Sequence, residues 1–304
     1  MKTLAICLTI CLSVAIWAAG AENAGAASAS GADCTTAPAV LGIDSLDSPV
    51  SPLQQLDVYG FEDAKGCDSV PVVVYVHGGG WRKGDKRVVG NKATFFNELG
   101  YVFVSVNYRL SDPVRNPDRP QHPAHADDVG AAVAWVEQHI DAYGGDSEQL
   151  ALIGHSAGAH LVALVGLDDT YVEQADGDVS AIQCVISNDT ASYDLLARGE
   201  DGPGAKLLVA NAFGADEDTL RDASPLTHVG DDDDTPDFLV VRRGTPDRQG
   251  AQTAFGDALE AAGGSVTMVD TPGYTHADVN AQIGVPGETV ITPPIEEFAQ
   301  DCLG

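Results

Sequence analysis

Apolar runs and helical stripes alternate along this chain from about Gln55 onward. Val70–Val76 (VPVVVYV) and Tyr101–Val106 (YVFVSV) are near-continuous β-branched and aromatic runs, the pattern of strands buried on both faces. Gln55–Tyr59 alternates and reads as a further strand, and Leu150–Ile153, Ala181–Ser187, Asp237–Val241 and Ser265–Val269 supply four more short runs. Between them lie helical patterns. Val89–Leu99 closes at Gly100, a C-cap residue. Asp127–Tyr143 carries Val129, Ala132, Val133, Val136 and Ile140 on one stripe and stops at Gly144-Gly145. Ala251–Ala262 places Phe255, Ala258, Leu259 and Ala262 on one side, and a last helix spans about Pro294–Cys302. Val40–Gln54 reads as irregular with room for one short strand, and Ser111–Pro123, with four prolines, reads as a loop.

Strands separated by helices require crossover connections. The expected fold class is therefore α/β: a mainly parallel twisted sheet with helices on both faces. Sites in such sheets collect at the carboxyl ends of strands. Gly79, Ser156, Asp247 and His276 all follow directly on predicted strand ends. Residues 188–229 contain no strand and leave from the same edge, so they are expected to form a small lid insertion or pocket wall.

Ser156 stands out. Leu150–Ile153 runs into Gly154-His155-Ser156-Ala157-Gly158 and then at once into a run of helix formers ending near Leu167. Strand, sharp bend and helix are the context that a G-x-S-x-G motif needs to present a serine hydroxyl at a sheet edge. A serine hydroxyl attacks only with a base in reach and an orienting group behind the base. Of eight histidines, His276 follows the last strand, where it can swing over Ser156. His155 lies inside the bend and points away; His160 is expected to be structural; His122 and His125 lie in the proline-rich loop. Two acids are open. Asp247 follows the penultimate strand and is the favoured assignment; Asp189 follows the strand after the serine. Asp278 is expected to order its own turn. An oxyanion would meet the backbone N–H groups of Gly79, Gly80 and Ala157. Trp81 is expected to border the acyl or alcohol pocket.

Composition and charge narrow the setting. Residues 1–21 have a positive start, an apolar stretch and small residues at Ala19-Gly20-Ala21, the features of a cleaved signal peptide. Residues 22–33 read as a flexible leader and residues 34–304 as one domain. The expected location is secreted or periplasmic. Cys34, Cys67, Cys184 and Cys302 remain after cleavage, and Cys34–Cys67 with Cys184–Cys302 is the favoured of three possible pairings. With 45 acidic against 16 basic residues, the net charge of −29 argues against nucleic-acid partners and anionic lipid, and no membrane insertion is expected. Asp231–Asp234 lacks the spacing and central glycine of an EF-hand-like calcium loop and reads as a solvated loop.

HGGGW at 77–81, NYRL at 107–110, GHSAG at 154–158, GTPD at 244–247 and GYTH at 273–276 together resemble the α/β-hydrolase superfamily. Within it the chain is similar to the carboxylesterase and hormone-sensitive-lipase-like group, and VVVYVHGGGWRKGDK resembles the feruloyl and acetylxylan esterase-like branch and the related kynurenine formamidases. The resemblance implies an α/β-hydrolase fold with an eight-stranded sheet, an acyl-serine intermediate, and no cofactor or metal. It also implies structural roles for Tyr108 and Arg109. Arg243 departs from the histidine that relatives often carry before the glycine. The reading is a serine carboxylesterase acting on short-chain, acetyl or feruloyl esters, small or polysaccharide-linked. The alternatives are amide hydrolysis, by an arylformamidase or small serine peptidase, and a non-catalytic binding protein on the same fold. Oligomeric state is not legible in the sequence.

Overall fold

Alternate residues of one central strand feed two separate cores. In β3 (Val70–Val76), Val72, Val74 and Val76 enter one apolar cluster while Val73 and Tyr75 enter the other, and all five are essentially unexposed. That period of two, with apolar residues on both faces, is what a sheet covered on both sides demands. The computed structural model describes residues 36–61, 69–114, 116, 118–198, 203–230 and 235–304. The expected signal peptide and leader, Cys34, Cys67 and Asp231–Asp234 lie outside the described residues.

Eight strands form one sheet: β1 (Val40–Asp44), β2 (Gln55–Tyr59), β3, β4 (Val102–Val106), β5 (Gly145–His155), β6 (Ile182–Asn188), β7 (Asp237–Arg242) and β8 (Val266–Asp270). Their spatial order is β1-β2-β4-β3-β5-β6-β7-β8. The β1–β2 and β2–β4 pairs are antiparallel and all later pairs parallel. The chain therefore has the α/β-hydrolase fold, with the expected mainly parallel sheet.

On one face, α2 (Ala124–His139), α3 (Ala157–Val165) and α8 (Pro246–Ala261) pack with the larger cluster. On the other, α1 (Lys92–Glu98), α9 (Asp278–Ala281) and α10 (Thr292–Leu303) bury Phe96, Val279, Ile295 and Leu303 against Tyr75, Phe103 and Ile153. Cys184 of β6 and Cys302 of α10 are joined by a disulfide, so this expected pairing is present and pins the terminal helix to the sheet. Between β6 and β7 run α5 (Leu195–Arg198), α6 (Pro203–Phe213) and α7 (Glu217–Asp222), the strandless excursion expected from the sequence. The short α4 (Thr170–Glu173) packs on α2. No helix among the described residues is long and apolar enough to cross a membrane.

Several boundaries moved. β5 begins at Gly145, so the glycine pair read as a helix stop also opens the strand. The helix expected over 251–262 begins at Pro246. That early start has consequences at the site.

Candidate active site

The parallel register sets Ser156 at the middle of the sheet edge. Gly154 pairs with Val76 of β3 and His155 with Asn188 of β6, and the Ser156 N–H donates to the Asn188 carbonyl at 3.0 Å. Ser156 then turns the chain into α3 with φ 57° and ψ −113°, a conformation that non-glycine residues rarely hold. The flanking glycines are required by space. A Cβ on Gly154 would come within 2.2 Å of the Gly158 carbonyl oxygen, and one on Gly158 within 2.1 Å of the Val76 oxygen. Trp81 and Asp189 also carry positive φ, so three of the five such non-glycine residues among those described border one site.

His276 meets Ser156 as expected. Its Nε2 lies 2.9 Å from Ser156 Oγ and its Nδ1 lies 2.6 Å from Asp189 Oδ2. Asp189 is fully buried and also accepts from Arg243 Nε at 2.5 Å, from Arg248 Nε at 2.9 Å and from Arg248 Nη2 at 2.7 Å. Burial alone would raise the Asp189 pKa; the His276 hydrogen bond, the charge of Arg248 and the Arg243 hydrogen bond outweigh it and hold the carboxyl below its ordinary range. An ionised carboxylate only accepts. Nδ1 of His276 must then carry the proton, and Nε2 is left to accept from the serine hydroxyl. This tautomer is the one a base at Nε2 needs.

Asp247, the favoured acid, is not brought to the site. Thr245 caps α8, its hydroxyl accepting from the Arg248 N–H; Pro246 takes the first turn, and Asp247 is exposed within that turn. A carboxylate there sits favourably at the positive end of the helix dipole and does not turn toward the sheet edge. The acid against the imidazole is Asp189, the residue just after β6, next to β5, which leads into Ser156. The sequence marks Arg243 as a departure bearing on the acid loop but gives no role at the acid to Arg248 or Gln252. Gln252 donates from Nε2 to Asp189 Oδ1 at 3.3 Å and to the Thr190 carbonyl at 2.8 Å, and its Oε1 accepts from the Arg243 N–H at 2.9 Å. The Thr-Pro pair, a helix-start signal, was the available clue.

Other groups hold the frame. His155 is pushed down to about 3 by burial and then by the charge of His276, so it is neutral; its Nε2–H donates to the His276 carbonyl at 2.8 Å. It positions the loop and stays clear of the Ser156 hydroxyl, as expected. His160, also held at about 3 by burial, accepts from Trp81 Nε1 at 3.3 Å and donates to the Ala223 carbonyl at 2.8 Å. Tyr108 donates to the His77 carbonyl at 3.1 Å and Arg109 Nε to Asp128 at 2.8 Å, both as supports. His125 is buried against Ser111, and His122 lies 2.8 Å from Asp222. Asp278 accepts from the Thr275 N–H and hydroxyl at 2.8 and 2.6 Å and so orders the turn before its own helix.

A cavity of about 260 Å³ opens over Ser156 and His276. Gly80, Trp81 and Ala157 line it, with Leu208 and Val209 of α6, so the excursion between β6 and β7 supplies part of the wall. Gly79 sits one residue back in the loop. A Cβ there would overlap the Lys83 carbonyl oxygen at 1.9 Å, and one on Gly78 would lie 3.0 Å from Ser156 Cβ. The glycine loop therefore lies directly against the serine.

A serine at a strained strand end, an imidazole within hydrogen-bond reach of it, a buried carboxylate and a glycine loop make an arrangement able to transfer acyl groups. The BD-FAE family model matches residues 56–251, which include Ser156 and Asp189. The chain belongs to the BD-FAE family. Relatives of this BD-FAE chain include the Mycobacterium tuberculosis probable carboxylic ester hydrolase LipM, 32% identical over 61% of this chain and 43% of LipM. Esterase LipQ of the same organism is 31% identical over 82% of this chain and 58% of LipQ. The chain spans about half the length of the curated relatives it matches. Among solved structures, an inhibited esterase B from Lactobacillus rhamnosis superposes with TM-score 0.70 at 18% identity, covering 87% of each chain. Thermogutta terrifontis esterase 2 phosphonylated by sarin superposes with TM-score 0.65 at 20% identity, covering 87% of this chain and 93% of its own. At those identities the likeness carries the fold alone.

Proposed function

We propose that this BD-FAE protein is a serine carboxylesterase in which Ser156, His276 and Asp189 form the proton-transfer line. The observation that carries the reading is the continuous run of contacts from Ser156 Oγ to His276 Nε2 at 2.9 Å and from His276 Nδ1 to Asp189 at 2.6 Å. His276 takes the hydroxyl proton as Ser156 Oγ attacks the ester carbonyl carbon. Asp189 holds the ring and stabilises its charged form. N–H groups of Ala157, Gly80 and Gly79 receive the developing oxyanion, each such donor being worth about 3 kcal/mol in the transition state. The imidazolium returns its proton to the departing alcohol. Water, deprotonated by the same histidine, then attacks the acyl-serine and releases the acid.

The cavity of about 260 Å³ supports a short-chain ester substrate. Export to an oxidising compartment is part of the proposal, supported by the Cys184–Cys302 disulfide and the amino-terminal pattern. The test is labelling by a p-nitrophenyl phosphonate combined with rates on p-nitrophenyl acetate, N-formylkynurenine and a peptide anilide. Stoichiometric labelling at Ser156, ester turnover, and loss of both in Ser156→Ala by several orders of magnitude are expected. Turnover of the amides alone, or full activity in Ser156→Ala, would discard the reading.

A further inference from the structure

The Ser156 cavity has a cationic wall in a protein whose net charge is −29. Arg198, Arg243 and Arg248 line it, and no Asp or Glu does so among the described residues. Asp189 lies behind two of these arginines with its side chain fully shielded, while Arg243 and Arg248 keep 18% and 20% of theirs exposed. Asp189 is shared by the two guanidiniums, and Asp278, the other carboxylate whose charge interacts with Arg243, does not line the cavity, so positive charge faces it. The guanidinium contacts with Asp189 use Nε of Arg243 and Nε and Nη2 of Arg248. Nη1 and Nη2 of Arg243 and Nη1 of Arg248 lie outside those contacts, and a guanidinium fork suits a carboxylate. The acidic surface does not cancel this locally, because fields in salt fade over about 8 Å.

We infer that this site takes esters carrying a carboxylate, the anion being held by Arg243 and Arg248 with Arg198 on the same wall while the ester carbonyl meets Ser156. The inference rests on the esterase reading and narrows it to a substrate class. Trp81 and Leu208 on the same cavity would contact the carbon chain between ester and anion.

The test uses two matched pairs with the full-length protein. Mono-p-nitrophenyl glutarate is compared with p-nitrophenyl valerate for an anion in the acyl part, with the spontaneous rate subtracted. 4-Acetoxybenzoate is compared with its methyl ester for an anion in the alcohol part. The anionic member of at least one pair is expected to have kcat/KM about tenfold higher, the low end for a charge-assisted hydrogen bond, expressed mainly in KM. The advantage should shrink as sodium chloride is raised. Arg198→Gln and Arg243→Gln should each lower the anionic-to-neutral ratio; the neutral member corrects for damage to the Asp189 cluster, which slows both esters alike. Neutral esters turned over as well as or better than anionic ones in both pairs would overturn the inference and leave the esterase reading standing. No turnover of any ester, with no phosphonate on Ser156, would overturn both.

Discussion

Replacing Asp189 and Asp247 in turn separates the observed acid from the one favoured by the sequence. In Asp189→Asn, the amide oxygen goes to the position of Oδ1, which takes the three hydrogen bonds donated by Arg248 and Gln252, and the NH2 goes to that of Oδ2, which Arg243 and His276 share. The NH2 then faces His276 Nδ1, which contacts Asp189 at 2.6 Å in the native protein. Nδ1 must become the acceptor, the proton moves to Nε2, and the ring loses its capacity to take the Ser156 proton. The same error of tautomer in serine hydrolases costs about 10⁴ in kcat, or about 5 kcal/mol of barrier. Folding suffers too, because two guanidiniums lose their buried counter-charge, a change of about 3–5 kcal/mol. The assay is therefore single-turnover acylation by p-nitrophenyl acetate, run well below the variant's melting temperature, with a circular-dichroism melt as control. Asp247→Asn, exposed in the first turn of α8, should acylate within twofold of the parent. A folded Asp189→Asn protein that acylates within tenfold of the parent would refute the reasoning, as would a loss near 10⁴ in Asp247→Asn.

The Cys184–Cys302 disulfide spans 118 positions, and the chain-entropy relation assigns a loop of that size about 5 kcal/mol; the double alanine variant should show a clear fall in the midpoint of urea unfolding, and an unchanged midpoint would deny the bridge a role. Lys92 is almost fully buried, donates to the Asn280 and Val89 carbonyls, and is pushed down to about 7 by burial. Its folded pKa lies below the unfolded value, so its destabilising effect is complete below pH 7 and fades toward pH 10.5. The parent should therefore gain about 2 kcal/mol relative to Lys92→Met between pH 7 and 9, and parallel stability profiles would contradict it. Asp189 is shifted the other way: its folded pKa is depressed, so its contribution is present above the ordinary carboxylate pKa and is lost as pH falls through the folded value. Acid titration followed by tryptophan fluorescence should give Asp189→Asn a flatter stability slope than the parent below pH 4; an identical slope would count against the shift.

Much of the architecture was legible because the chain separates its periods cleanly. VPVVVYV and YVFVSV have too few polar positions for a surface strand, and the 129–140 stripe has no strand period in it. Ser156 and His276 were legible because topology sends strand ends to one edge. The acid was not, because two strand ends qualified and local helix energetics decided between them. Thr245 and Pro246 start α8 at the end of β7, and this commits Asp247 to a helix turn while bringing Arg248 and Gln252 round to Asp189. Pattern reading also gives no sign that Arg243 reaches across to another strand's carboxylate, since a long cation at a strand end reads as solvent-facing. β1 was only half-visible: Val40–Asp44 is largely exposed and owes its strand to pairing with β2.

The hydroxyl of Ser156 and the carboxylate of Asp189 each follow directly on adjacent strand ends, tied by the ladder that pairs His155 with Asn188. Everything from Thr190 to Pro236 is inserted after that pair is complete, and α6 from this insertion walls the cavity. The α6 part of the cavity wall thus lies apart from the two strand ends, whereas Arg243 and Arg248 belong both to the wall and to the Asp189 cluster. Loops or helices of the insertion can be lengthened, shortened or grafted to reshape that part of the cavity, with the sheet still holding Ser156 and Asp189 in register, so under the proposed esterase reading this segment is the natural place to begin building a library of altered specificity.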